Sequence, residues 1–124
     1  MLVRSTLVAG GLLLATACSG PTPSQPPVSV GKQFTMRVDN TMQFATATLE
    51  VQAGQPLELT VENVGGMAHD FSLSEGVAQP VRIEAAGGQT AGATFTIDKP
   101  GTYTFVCSQP AHALAGMRGT IIAR

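Results

Sequence analysis

The sequence predicts an all-β fold, a sandwich of antiparallel strands, and three observations carry that expectation. Apolar and polar residues alternate with period two in several short stretches from Lys32 onward. Turn-forming residues separate those stretches, drawn from 14 glycines and 8 prolines in 124 residues. No window sustains a helical period for ten residues, so helices have nothing to build on.

Taken in chain order, the first strand is expected over Gln33–Val38, where Phe34, Met36 and Val38 alternate with Gln33, Thr35 and Arg37. Thr46–Val51 alternates less cleanly, with Ala47, Leu49 and Val51 on one face. Gly54-Gln55-Pro56 turns the chain, and Leu57–Val61 then places Leu57, Leu59 and Val61 opposite Glu58 and Thr60. Asp70–Leu73 and Thr94–Ile97 are short candidate strands. The stretch Gly76–Gly92 has the weakest pattern, with room for one short strand in Val77–Glu84. Lys99-Pro100-Gly101 makes a turn before Thr102–Cys107, and Thr120–Ala123 closes the chain. Tyr103, Phe105 and Cys107 share a strand face, so the two aromatics direct Cys107 toward the core. On burial alone, Cys107 would be just a small hydrophobe.

The amino terminus reads differently. Arg4 is followed by the apolar run Leu7–Ala17, eleven residues, short of the ~20 that a bilayer-crossing helix requires. A cationic start, a short apolar centre and a small-residue exit describe a signal peptide over residues 1–17. Ala15-Thr16-Ala17 before Cys18 resembles a bacterial lipobox, with Leu14 one place further back than usual, and also fits ordinary cleavage. A bare terminal thiol on an exported chain is a liability, so Cys18 is expected to carry lipid and anchor the protein. Residues 18–31 hold four of the eight prolines and no charge, and read as a semi-rigid tether to a domain over 32–124.

A chain of 124 residues makes one domain. Its net charge of -1 provides no field for a phosphate backbone, and nucleic acid is not an expected partner. Only two Cys and two His are present, so metal or nucleophile chemistry must use Cys18, Cys107, His69 and His112. With Cys18 lipidated, a single free thiol remains and no disulfide can form.

Cys107, His112 and Met117 follow one another at intervals of five, in a stretch containing Pro110 and Gly116 that can fold them around one point. His69 comes after Gly65-Gly66-Met67-Ala68, at the start of a candidate strand. One thiolate, two imidazoles and a thioether favour copper over hard cations and match a His2Cys trigonal site with a weak axial Met. Singly, each residue has a plainer role: His112 in a surface loop, His69 half-buried, Met117 in the core. A Cys107 nucleophile with His112 as base is the catalytic alternative, but it lacks an orienting carboxylate in the loop and leaves His69 idle.

Tyr103–Cys107 and Met117–Thr120, together with Pro100–Tyr103, Val51–Gly54 and Val61–Asn63, resemble the cupredoxins, the small plastocyanin/azurin-like blue copper proteins. The likeness covers roughly Phe34–Arg124. It implies a Greek-key sandwich of seven or eight strands and one type 1 copper, with His69, Cys107 and His112 as equatorial ligands and Met117 as axial ligand. Two positions depart from the family pattern. Asp70 stands where many members have Asn bracing the ligand loop, and an ionised carboxylate there would lower the reduction potential. Ala111 stands where related loops have Gly, and asks for an ordinary φ.

The reading that follows is an extracytoplasmic, lipid-anchored electron carrier in the periplasm or at the cell surface of a bacterium, not an enzyme. It would cycle Cu(I)/Cu(II) as a monomer between redox protein partners associated with the membrane. Pro110, Ala111, Ala113 and Leu114, joined by Met67 and Ala68, would form an apolar rim through which His112 exchanges electrons. The alternative is an extracytoplasmic copper carrier or buffer without a role in electron transport, although Met- or His-rich tracts are absent.

Overall fold

The structure, a computed structural model, describes residues 31–124; the signal peptide, Cys18 and most of the tether lie outside the described residues. Eight strands follow in order: β1 Lys32–Val38, β2 Thr48–Val51, β3 Pro56–Asn63, β4 His69–Leu73, β5 Val81–Ala85, β6 Thr90–Thr96, β7 Gly101–Val106 and β8 Arg118–Ala123. They form two sheets, β1-β3-β6 and β2-β8-β7-β4-β5. No helix long and apolar enough to cross a membrane occurs among the described residues.

Period-two alternation becomes two-faced burial. In β3, Leu57, Leu59, Val61 and Asn63 are buried while Pro56, Glu58, Thr60 and Glu62 are only partly so. Met36 and Val38 of β1, Phe71 and Leu73 of β4, Phe105 of β7 and Ile121 of β8 meet these residues between the sheets. Phe105 is the centre of an aromatic group, with ring centroids 4.8 Å from Phe71 and 5.1 Å from Phe44.

Two pairings run parallel, β1 with β3 and β2 with β8, where the alternation alone had suggested antiparallel strands throughout. The cause is topological. β1 and β3 are separated by β2 in the other sheet, and β2 and β8 by most of the chain, so neither pair is joined by the tight hairpin that would make it antiparallel. The strand in the weakly patterned stretch is β5, Val81–Ala85. β6 starts at Thr90, four residues before the apolar pattern announces it. Thr90, Ala91, Gly92 and Ala93 have no large apolar side chain to mark them, and are strand because β3 offers its full length for pairing, from Pro56↔Thr96 to Glu62↔Thr90.

One end of the sandwich gathers the beginning of β4, the end of β7 and the loop leading into β8. This brings His69, Cys107, His112 and Met117 together.

Candidate metal centre

His69 is the first residue of β4 and faces the interior with Phe71 and Leu73. The loop before it is held by amides. Asn63 donates to the carbonyls of Met67 (2.7 Å) and Ala85 (2.9 Å) and accepts from Gly65 N–H (3.0 Å). Asn40 Oδ1 accepts from Gly66 N–H at 2.8 Å. Gly65 packs so closely on Asp39 and Asn40 that a Cβ there would lie 2.5 Å from the Asn40 side chain.

Cys107 directly follows β7. Its N–H donates to Met117 O (3.0 Å), and Met117 N–H donates to His112 O (3.0 Å), so the loop closes on itself and sets its three side chains side by side. Cys107 Sγ and His112 Nδ1 are 3.4 Å apart, and the His69 and His112 rings lie 4.9 Å apart between centroids. One donor atom from each of His69, Cys107 and His112 falls within 4.8 Å of the others. Met117 is fully buried, and its backbone hydrogen-bonds to both Cys107 and His112.

The donor set fits copper. Both ring nitrogens of His69 are buried without a partner at hydrogen-bonding geometry among the described residues. An unsatisfied buried imidazole is costly, and ligation accounts for it. Burial, and then the neighbouring His112, hold the His69 pKa below its ordinary value, keeping the lone pair free at neutral pH. Burial pushes the Cys107 thiol up, so metal uptake must expel its proton. Sulfur with two imidazoles and a buried thioether is a set that copper favours over hard cations.

Asp70 lies on the outer face of the sheet, yet its side chain has no exposure because polar neighbours close over it. Its Oδ1 accepts from Ser108 N–H (2.7 Å) and Ser72 Oγ (3.0 Å), and its Oδ2 from Ser108 Oγ (2.8 Å) and the Arg82 guanidinium (3.0 Å). Burial opposes its ionisation most strongly, but the hydrogen bonds from Ser108, Arg82 and Ser72 together outweigh it and hold the carboxyl below its usual range. The Asp70 N–H points at Cys107 Sγ, 3.4 Å away. One residue therefore braces the loop through its side chain and the sulfur through its backbone.

Ala111 corrects an expectation. Its φ is +66°, not ordinary. His112 N–H donates to Gln109 O at 3.1 Å, closing a turn in which Pro110 and Ala111 are the central residues. Pro at the first and positive φ at the second is the type II pattern, which usually places Gly there. The backbone here holds the conformation glycine takes without strain, with alanine at the position.

Of the four predicted ligands, only His112 reaches the surface at all, at 8% exposure. Of the residues expected to form its rim, Leu114 is 91% and Met67 37% exposed, Pro110 and Ala111 are exposed, and Ala113 is half-buried. Val64, on the loop that carries Met67, adds a further exposed apolar side chain.

Residues 32–124 match the family described as copper binding proteins, plastocyanin/azurin family. The chain belongs to this family. It is 28% identical over 130 residues to the copper-resistant cuproprotein CopI of Rubrivivax gelatinosus, covering 89% of this chain and 79% of that protein. Auracyanin B superposes with a TM-score of 0.68 at 22% identity, over 77% of this chain and 91% of that one. Auracyanin A, a "blue" copper protein of Chloroflexus aurantiacus, gives 0.67 at 21% identity, over 76% and 100%. These superpositions establish the cupredoxin sandwich, and His69, Cys107, His112 and Met117 are arranged in it as a type 1 copper site.

Sequence reasoning did not find Asn63, Asn40, Ser108 or Arg82. The first two are polar residues near turns, unmarked by any spacing to the ligands. Arg82 sits in the weakly patterned stretch and reaches Asp70 only through the β4–β5 pairing.

Proposed function

We propose that this cupredoxin is an extracytoplasmic one-electron carrier. The observation that carries the reading is the difference in access among the ligands: three are sealed, and His112 alone reaches the surface, in a loop where Leu114 is 91% exposed. Copper bound there would alternate between Cu(I) and Cu(II). The chain contributes rigidity: β4, β7 and the hydrogen-bonded loop hold the donors in one arrangement and limit the reorganisation that slows electron transfer. The rim contributes docking, since redox proteins meet weakly through patches under ~1,200 Å². Among the described residues, His69, Cys107 and His112 form one group of metal-ligating side chains, enough for a single one-electron copper.

Residues 1–17 direct export, Cys18 carries the lipid, the proline-rich segment spaces the domain from the membrane, and a monomeric domain meets donor and acceptor proteins there. Intact mass of the membrane-extracted protein tests it: a mature chain starting at acylated Cys18 supports the anchor, and an unmodified start contradicts it.

The similarity to a copper-resistance protein favours one other reading, a copper carrier or buffer. Voltammetry and a chelator challenge separate the two. An electron carrier gives a reversible one-electron wave and keeps its copper in both oxidation states. A copper carrier surrenders Cu(I) to a competing chelator within minutes.

A further inference from the structure

We infer that Arg82 is a positioning residue for the copper centre, setting its reduction potential by balancing the buried charge of Asp70. The inference rests on the copper reading above and extends it to a residue that touches none of the ligands. Asp70 is buried immediately after His69, with its N–H on the Cys107 sulfur and its carboxylate on both polar groups of Ser108. An uncompensated carboxylate at that position would favour the higher oxidation state of any metal beside it, and would be costly to bury.

The structure places one cation against it. Arg82 lies across from Ser72 in the β4–β5 register and reaches diagonally to Asp70, donating to Oδ2 from Nε at 3.2 Å and from Nη2 at 3.0 Å. Nη2 also meets Glu84 Oε2 at 2.7 Å, which limits the swing of the guanidinium. Arg82 is 54% exposed while Asp70 is sealed, so the pair presents its cation to water and its anion to the site. A guanidinium suits this role better than an ammonium, because Nε and Nη2 both converge on Oδ2, the oxygen that the Ser108 hydroxyl also reaches, while Nη2 keeps its second partner Glu84.

Reduction potentials of the copper-loaded wild type, Arg82→Gln, Arg82→Lys, Asp70→Asn and the Asp70→Asn/Arg82→Gln double variant test the inference. Arg82→Gln is expected to shift the equilibrium about fivefold toward Cu(II), ~40 mV at ~59 mV per tenfold. Arg82→Lys, which keeps the cation, is expected to stay nearer the wild-type potential, and the double variant returns close to wild type because both charges are gone. A denaturant double-mutant cycle on the metal-free proteins should show the Asp70–Arg82 pair coupled, independently of copper. An Arg82→Gln protein with wild-type potential and an intact visible spectrum overturns the inference, as does a double variant displaced as far as Asp70→Asn alone. If the wild type itself takes up no copper with a thiolate band, the site reading has failed instead, and the metal-free cycle still reports on the pair.

Discussion

Replacing Asp70 by Asn removes one negative charge from behind the Cys107 sulfur while keeping the side-chain shape. The Asn oxygen can retain the Ser108 N–H and Ser72 hydroxyl that Oδ1 now accepts. Its amide nitrogen then occupies the Oδ2 position, facing the Arg82 donors, and two donors cannot bond each other. Arg82 is half-exposed and already shares Nη2 with Glu84, so it relaxes toward Glu84 and water. The stability cost is accordingly about 1–2 kcal/mol, below that of a fully sealed pair. For the metal, loss of a buried unit charge in its neighbourhood is worth on the order of 2 kcal/mol at an effective dielectric of ~20. Screening and the relaxation of Arg82 reduce this to about 1 kcal/mol, or ~40 mV for one electron. Redox titration of the copper-loaded protein should therefore find Asp70→Asn higher in potential by some tens of millivolts, with the visible spectrum retained. A potential that stays put or falls, with the spectrum intact, refutes the reasoning.

Ala111→Gly should stabilise the protein by about 1 kcal/mol in urea denaturation, because glycine adopts the observed positive φ without strain; a loss of stability would mean the methyl group packs usefully. Leu114→Glu should leave the melting temperature and spectrum unchanged at a side chain 91% exposed, yet slow electron exchange with the redox partner. A bleached spectrum in that variant would place the loop's packing, not docking, at fault. Gly119→Ala should cost about 1–3 kcal/mol by calorimetry, since the new Cβ would press into the Phe105 ring and the Ala47 carbonyl.

What could be read in advance divides along physical lines. The strands with large alternating side chains, such as Phe34–Met36–Val38 and Leu57–Leu59–Val61, announce both their existence and their buried face. β6 does not, because Thr90–Ala93 are strand by virtue of a neighbour rather than their own pattern. The parallel pairings depend on where the chain crosses between sheets, which no local window encodes. The ligands were legible since Cys107, His69 and His112 are the scarce residue types in this chain and Met117 keeps the interval. Their support was not. Asn63 is one of only two asparagines but stands at no telling interval from the ligands, Ser108 and Arg82 belong to commoner residue types, and only the folded register brings Arg82 to Asp70. Ala111 was read by its side chain, whereas Pro110 and the Gln109–His112 hydrogen bond fix its backbone.

The most direct test is a Cu(II) titration of the purified, metal-free protein followed by visible absorption, alongside Cys107→Ser. The account requires an intense thiolate-to-copper band that saturates at one copper per chain and is absent in Cys107→Ser. A wild type that stays colourless, or a band that survives the loss of Cys107, would contradict it.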